Sequence, residues 1–271
     1  MARPAPYLMG HGVRQIAVPA GTPMGGYDDR VGGAAGVLDP LEVHAVVIGD
    51  GTTRFVWVVA DLPCVNTDLA GDVRDAVVAA VPGARPQTVW LSATHTHAGP
   101  ETGCTPGGSR TPEPWRGRLR QEAIGAVTDA VDAEVGVDLA MHHTTLRGVG
   151  GQRSGRRPWC TVPLAVLAGW RAGRPHGVVA VLPVHPTVLG ADNRLVSADL
   201  AGACRRALAA ALGAGAPDWT VVATGAAGDV STRPHRREQT GAELARLGQA
   251  AARGVARALR TPGVGAGQDG T

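Results

Sequence analysis

The stretch that decides the fold runs from residue 88 to residue 100 and reads TVWLSATHTHAGP. Its first part, Thr88–Ala93, has the apolar composition of a buried strand, and the polar motif marks the strand's carboxyl end. Side chains at positions i and i+2 of an extended chain point to the same face, so His95 and His97 can direct their rings toward one point. Two converging imidazoles are a typical arrangement for zinc. The alternative is one buried structural histidine and one exposed histidine.

Strands and helices alternate on both sides of this stretch, which predicts an α/β fold, a single layered domain with mixed β-sheets flanked by helices. The further strands are predicted at Val13–Val18, Val43–Ile48, Phe55–Ala60, Leu139–Val149, Val162–Trp170, Val178–Val184 and Trp219–Thr224. The helices are predicted at Thr67–Val81, Trp115–Val135, Asp199–Leu212 and Gly241–Leu259. We expect the domain to span residues 1–260, followed by a flexible glycine-rich tail over residues 261–271.

The composition argues against several classes of protein. Of the 271 residues, 44% are hydrophobic and 18% are charged, and the 26 basic and 23 acidic residues give a net charge of +3. Such a balance argues against a nucleic acid partner. All the basic residues are arginine, which excludes catalysis through a Schiff-base lysine. No apolar run reaches the length of a membrane helix, so we expect no membrane partner.

The four cysteines are not closely spaced, which argues against a cysteine-only zinc site. Since no signal-peptide pattern precedes Tyr7, we expect a soluble cytoplasmic protein with reduced thiols. The expected partner is a small-molecule substrate, and assembly into a homo-oligomer is left open.

Two further motifs follow apolar strands. The first, Val184–Thr187, places His185 at the carboxyl end of a strand, where side chains of open α/β sheets face a crevice. The second, Gly228–Ser231, has small residues before it that allow a sharp turn, and it delivers Asp229 and Ser231 to the same edge. The alternatives are a core histidine in the first case and a simple turn with an Asx cap in the second.

Three other residues are candidates for the same site. Asp61 ends one strand and Asp199 follows Val196–Ala198, so either carboxylate can bind a metal or orient a histidine. Asp199 can equally be the N-cap of its helix. Arg153 lies in an arginine-rich loop and can hold a carboxylate or a developing oxyanion.

In this order the motifs resemble the neutral/alkaline, non-lysosomal ceramidases and their shorter bacterial relatives. The matching stretches are MGGY at 24–27, VVADL at 58–62, ATHTHAGP at 93–100, QRS at 152–154, VHPT at 184–187, SAD at 197–199 and GDVS at 228–231. The THTHxGP and GDxS motifs are fairly specific when they occur in this order.

The resemblance implies a zinc amidohydrolase related to the catalytic domain of neutral ceramidases. It assigns zinc binding to His95 and/or His97 and to His185, substrate or oxyanion contact to Arg153, and to Ser231 a place as nucleophile or beside a zinc-activated water. The family completes its zinc shell with a Glu and a Tyr downstream of GDxS, and this sequence has no such pair there. Asp61, Asp199 or a partner subunit are the expected replacements, and ceramide itself is an improbable substrate.

The sequence therefore predicts a zinc-dependent hydrolase that cleaves an amide or N-acyl bond of a small molecule. A metal-activated water would attack the carbonyl, with Asp229 or Asp61 as base. Two alternatives stay open. One is non-hydrolytic acyl chemistry at the same site, as in a cyclase or transacylase of specialised metabolism. The other is a domain that binds a metal or ligand without catalysis.

Overall fold

β-Branched and apolar runs form the strands of one large mixed sheet in the computed structural model, which describes residues 6–104, 110–154 and 161–265. The strands are β1 Tyr7–Ile16, β2 Gly36–Val37, β3 Leu41–Gly49, β4 Arg54–Ala60, β5 Val89–Ala93, β6 Val135–Arg147, β7 Gly151–Gln152, β8 Thr161–Arg171, β9 Arg174–Leu182, β10 Leu195–Val196, β11 Trp219–Thr224, β12 Val230–Ser231 and β13 Val264–Gly265. The helices are α1 Thr67–Ala80, α2 Trp115–Asp132, α3 Asp199–Leu212 and α4 Gly241–Leu259, with short 3₁₀ turns at Pro86–Thr88 and Gly213–Gly215.

The large sheet has the strand order β11-β9-β8-β6-β1-β3-β4-β5, and β13 pairs with β6. The β4–β5 and β9–β11 pairs are parallel, and the other neighbours in this order are antiparallel. Two short ladders lie outside it, β2 with β10 and β7 with β12. The predicted class, a mixed sheet flanked by helices, is confirmed.

The helices cover one face of the sheet. Each contributes leucines to the larger apolar cluster, among them Leu69, Leu119, Leu200 and Leu247. Burial of these side chains, at about 25 cal/mol per Å² of apolar surface, fixes the helices on that face.

The opposite face is concave because the sheet curls strongly. The His11 ring on β1 stacks on the Trp219 ring on β11 with centroids 4.7 Å apart, although three strands separate β1 from β11 in the sheet. At the two edges, Thr224 Oγ1 at the end of β11 donates a 2.6 Å hydrogen bond to the carbonyl of Thr94, which follows β5. The carboxyl ends of β5, β9 and β11 therefore meet.

The first strand begins earlier than the sequence predicted, at Tyr7 instead of Val13. Gly10 and Gly12 weaken the strand pattern there, but both are needed for packing. A Cβ at Gly10 would lie 1.9 Å from the carbonyl oxygen of Ala130 on α2, and one at Gly12 would lie 2.0 Å from that of Ala126. The glycines thus allow α2 to approach the strand.

The prediction of reduced thiols is wrong for two of the four cysteines. Cys64 and Cys104, 40 residues apart, form a disulfide. The loop after the THTHAGP motif returns to the segment after β4, and this return has no signal in the local sequence. Cys204 is free and buried, and burial raises the pKa of its thiol to about 12. Cys160 lies outside the described residues.

Two other predictions concern the ends of the fold and the membrane. Val264 and Gly265, within the predicted tail, pair with Met141 and Ala140 of β6, and residues 266–271 lie outside the described residues. No helix in the described ranges is long and apolar enough to cross a membrane.

Candidate active site

Three histidines converge where the strands end. His95 and His97 follow β5, and His185 follows β9. The Nε2 atom of His97 lies 3.4 Å from that of His95 and 3.0 Å from that of His185. The ring centroids of His95 and His185 are 4.5 Å apart. The ligand atoms of all three lie within 4.8 Å of one another, close enough to share one metal ion.

The contacts of the outer ring nitrogens, the Nδ1 atoms of His95 and His185, show which nitrogens are free to bind a metal. His95 Nδ1 lies 2.5 Å from the carbonyl oxygen of Pro63, and His185 Nδ1 lies 3.3 Å from that of Ala227. A ring nitrogen facing a carbonyl must donate its proton, so in the neutral form of both rings Nε2 carries a lone pair. Facing lone pairs 3.0–3.4 Å from the His97 nitrogen repel unless a cation or proton lies between them. This donor set fits a divalent metal with imidazole preference, such as zinc.

The environment keeps two of these imidazoles neutral near pH 7. Burial, followed by the neighbouring His95 and His185, lowers the pKa of His97 to about 3. Burial lowers the pKa of His185 to about 4, and His95, Arg153 and Arg233 act in the same direction. Neutral imidazole is the form that binds metal.

His95 has a positive φ of 65°, which is uncommon for a residue other than glycine. A network behind it holds the preceding residue. Thr94 Oγ1 donates to Asp61 Oδ1 at 3.1 Å, and Arg205 donates to both oxygens of Asp61 at 3.1 and 2.5 Å. The Glu42 amide also donates to Asp61, at 3.0 Å. Such conformations persist where surrounding contacts over-determine them, which is common at functional sites.

Asp61 is fully buried, and its carboxylate faces Arg205 and not the three imidazoles. With Glu42 and His44 it forms a second cluster that could hold a metal ion. Arg205, however, also donates to Glu42 Oε2, at 3.0 Å, so a guanidinium already neutralises the carboxylates there.

Asp199 also lies apart from the imidazoles, at the first residue of α3, and Ala198 is the N-cap. Its carboxylate accepts hydrogen bonds from the amides of Val188, Leu189 and Leu200. Burial raises the pKa of Asp199 to about 7, against the effect of these amides. The loop after His185 is thereby fastened to the start of α3.

The SAD motif at residues 197–199 contacts the segment that carries His95 and His97. Thr96 Oγ1 donates a 2.6 Å hydrogen bond to the carbonyl of Ser197, and the Ser197 amide donates to the carbonyl of Ala98. These bonds tie the histidine segment to residues 197–199.

Ser231 lies beside His185. The two residues form an isolated parallel bridge, and the His185 amide donates to the carbonyl of Val230. Ser231 is 1% exposed, and its Oγ accepts a 3.3 Å hydrogen bond from the Arg233 amide. The GDVS motif therefore reaches the histidine cluster.

Arg153 and Asp229 lie at the adjacent rim. The Arg153 amide donates to the Asp229 carbonyl at 2.9 Å, and both residues are exposed. Asp229 is followed by Val230, whose carbonyl accepts from the His185 amide, so the Arg153 backbone lies close to the cluster.

A cavity of about 270 Å³ opens next to the cluster. It is lined by Ala93, His95, His185, Thr224, Gly225, Ala227 and Gly228. The walls are mostly backbone and small side chains, so a planar acyl or amide group can approach the imidazoles closely.

The residues that pack against His97 and hold its backbone were not predicted from the sequence. Arg30 donates to the carbonyls of Gly25 and His97, at 2.8 and 2.6 Å, and the Tyr27 ring meets the His97 ring edge-on. Gly26 has φ +100°, and a Cβ there would lie 2.6–2.7 Å from His97 atoms. The MGGY motif was visible as part of the resemblance, but its role as a support for His97 has no signal in the sequence.

The fold matches known structures, although the sequence alone finds no match. No protein-family model matches the sequence, and neither does any curated protein sequence. A neutral ceramidase structure from Pseudomonas aeruginosa matches over 93% of this chain with a TM-score of 0.77 and 22% identity. A ceramidase structure complexed with C2 matches over 93% with a TM-score of 0.78 and 21% identity.

The chain has a ceramidase-like fold. It spans 44% of the Pseudomonas ceramidase chain and 43% of the chain complexed with C2. The resemblance seen in the sequence motifs is therefore confirmed at the level of the fold. Identity near 22% carries no activity from one protein to the other.

Proposed function

We propose that the protein is a zinc-dependent hydrolase that cleaves an amide or N-acyl bond of a small molecule. The observation that carries this proposal is the convergence of the Nε2 atoms of His95, His97 and His185, two of them with their outer nitrogens facing carbonyls. The ceramidase-like fold supports the reaction class. The resemblance of the motifs that contain these histidines, ATHTHAGP and VHPT, supports it as well.

In this proposal the three imidazoles hold the ion. Zinc bound there would act as a Lewis acid toward the substrate carbonyl and would make a water molecule a stronger nucleophile near neutral pH. Asp61 and Asp199 are fully buried and engaged by other groups. Their contacts favour orientation of Thr94 and of the loop after His185, and their predicted role as metal ligands remains a prediction.

Three other residues act on the substrate. The Arg153 guanidinium stabilises negative charge that develops on the carbonyl oxygen, an effect of about 3–4 kcal/mol for one well-placed donor. The exposed Asp229 carboxylate accepts a proton at the open rim. The buried Ser231 hydroxyl contacts the reacting group from the His185 side, either as hydrogen-bond donor or as nucleophile. Activity retained in Ser231→Ala would exclude an acyl-enzyme on this residue.

The first experiment measures metal content by elemental analysis of the purified protein. We expect about one zinc per chain, and loss of most of it in His95→Ala, His97→Ala and His185→Ala. His143→Ala is the matched control, because His143 is an exposed histidine on β6. A wild-type protein that takes up no zinc even after its addition would contradict the proposal.

The second experiment tests the reaction on a panel of N-acyl compounds by mass spectrometry. Hydrolysis adds the mass of one water to the products, whereas cyclisation or acyl transfer does not. Stoichiometric zinc with no turnover of any substrate would favour a ligand-binding role.

A further inference from the structure

Two arginines flank Ser231 and His185 from opposite ends of one short ladder. In the β7–β12 pair, Ser231 is opposite Gly151 and Val230 is opposite Gln152. Arg153 follows the last residue of β7, and Arg233 follows β12 by one residue. Because the strands are antiparallel, the two arginines leave the ladder at its two ends, with the catalytic candidate Ser231 between them.

Both guanidinium groups are exposed and lack a carboxylate partner in the described ranges. Neither Arg153 nor Arg233 forms an ion pair there, whereas Arg205 and Arg246 are each paired with acidic side chains. The nearest acid in sequence is Asp229, and it offers Arg153 its backbone carbonyl. Among the described residues, the rim thus carries two guanidinium groups and one carboxylate, that of Asp229, which forms no ion pair with either. The excess of positive charge attracts an anion, and a guanidinium binds carboxylate in a bidentate manner.

The charges are also close to the histidine cluster. The Arg233 amide donates to Ser231 Oγ at 3.3 Å, and Ser231 bridges to His185. The Arg153 amide donates to the carbonyl of Asp229, and the carbonyl of the next residue, Val230, accepts from the His185 amide. An anion held by these side chains would therefore lie beside the position where an acyl carbonyl meets the imidazoles.

We propose that the substrate is an amide that carries a carboxylate near the scissile bond, as in an N-acyl amino acid, and that Arg233 is a specificity-determining residue for it. This inference rests on the proposed function, since it takes the histidine cluster as the reacting site. Arg153 has an expected substrate role already. This inference adds a second cationic residue, Arg233, and a class of anionic substrates that Arg153 and Arg233 would select together.

The test is a binding measurement by calorimetry with two matched probes, N-hexanoylglycine and its uncharged analogue N-hexanoylglycinamide. It is made on both metal-free and zinc-loaded protein. We expect the carboxylate probe to bind at least about tenfold more tightly than the amide probe in both forms, since one charge-assisted contact is worth about a tenfold change or more.

The variants separate the arginine from the metal. Arg233→Gln should weaken binding of the carboxylate probe about tenfold and leave binding of the glycinamide probe unchanged. Arg233→Lys should recover part of the loss, because lysine keeps the positive charge but lacks the paired N–H donors of the guanidinium. Arg171→Gln is the matched control. It removes the same charge from the last residue of β8, which is opposite the first residue of β9, whereas His185 follows the other end of that nine-residue strand. At about 3.3 Å per residue the two sites are well separated along the strand.

Equal affinity for the two probes, or no binding of either, would overturn the inference. An Arg233→Gln variant that binds both probes as the wild type does would also overturn it. A carboxylate preference that depends on Arg233, in a protein that hydrolyses no amide, would support the anion site and contradict the proposed function instead. Amide hydrolysis without any preference for the carboxylate probe would support the proposed function and contradict the anion site.

Discussion

Removal of the Arg205 guanidinium should be among the most destabilising single changes in the protein. The Asp61 side chain is 0% exposed and that of Arg205 is 7% exposed, with two hydrogen bonds between them at 3.1 and 2.5 Å. Arg205→Met would leave the Asp61 carboxylate buried with only the Glu42 amide and the Thr94 hydroxyl as donors. An uncompensated buried charge of this kind costs about 3–5 kcal/mol.

The assay is urea unfolding at pH 7, with a double-mutant cycle. Asp61→Asn combined with Arg205→Met should be less destabilised than the sum of the single variants, by about 1–3 kcal/mol, because the double variant buries no unpaired charge. Arg206→Met is the control, since its side chain is 47% exposed and forms one ion pair with Asp39. Its loss should cost at most about 1 kcal/mol.

A second measurement connects this pair to the site. Because Asp61 holds Thr94, the variant should also bind zinc more weakly through the adjacent His95. A cost below about 1 kcal/mol for Arg205→Met, or strict additivity in the cycle, would refute the reasoning.

Three other predictions concern separate parts of the structure. Gly26→Ala should weaken zinc binding about tenfold or more in a chelator competition, because its Cβ would displace the His97 ring. The free energy of unfolding should fall as pH falls from 6.5 toward 3. Partial burial and the neighbouring His44 lower the pKa of His11 to about 3, so over this range the unfolded chain takes up a proton at this residue that the folded chain does not. His11→Gln should reduce this slope by up to about 1.4 kcal/mol per pH unit. Cys104→Ser should lower the free energy of unfolding by up to about 4 kcal/mol, since it opens a 40-residue loop.

Each of these has a matched control. Gly51→Ala shares the positive φ of Gly26, at +92°, but its Cβ meets nothing within 4 Å, so it should leave zinc binding unchanged. For the pH slope the control is His143→Gln, on an exposed side chain. In the third case, reductant should destabilise the wild type and leave Cys104→Ser unchanged. An unchanged pH slope in His11→Gln, or no effect of reductant on the wild type, would contradict the corresponding argument.

Most elements of the fold were predictable because their signals are local. Helices α3 and α4 and strand β11 have the bounds that periodicity and composition predicted. The start of β1 was missed because glycine reads as loop, whereas here it serves helix packing.

The site was predictable in part, but the structure brings its histidines together in a different way from the one the sequence suggested. Alternation along a strand was the argument for His95 and His97, yet His95 has left the extended conformation with φ +65°, and the two ring planes lie 87° apart. The rings still converge because contacts from distant segments turn them. The partner of Asp61 lies 144 residues away, and no local pattern marks Arg205 for that role.

The meeting of the two sheet edges has a consequence for how the chain would come apart. Between β5 and β11 the strands do not pair, and side chains bridge this seam, as Thr224 does to the Thr94 carbonyl. His95 and His185 stand on opposite sides of it. A ligand that binds both residues would connect the two sides of the seam. Its binding would therefore stabilise the outer strands against separation, and separation of the strands would weaken its binding by the same free energy.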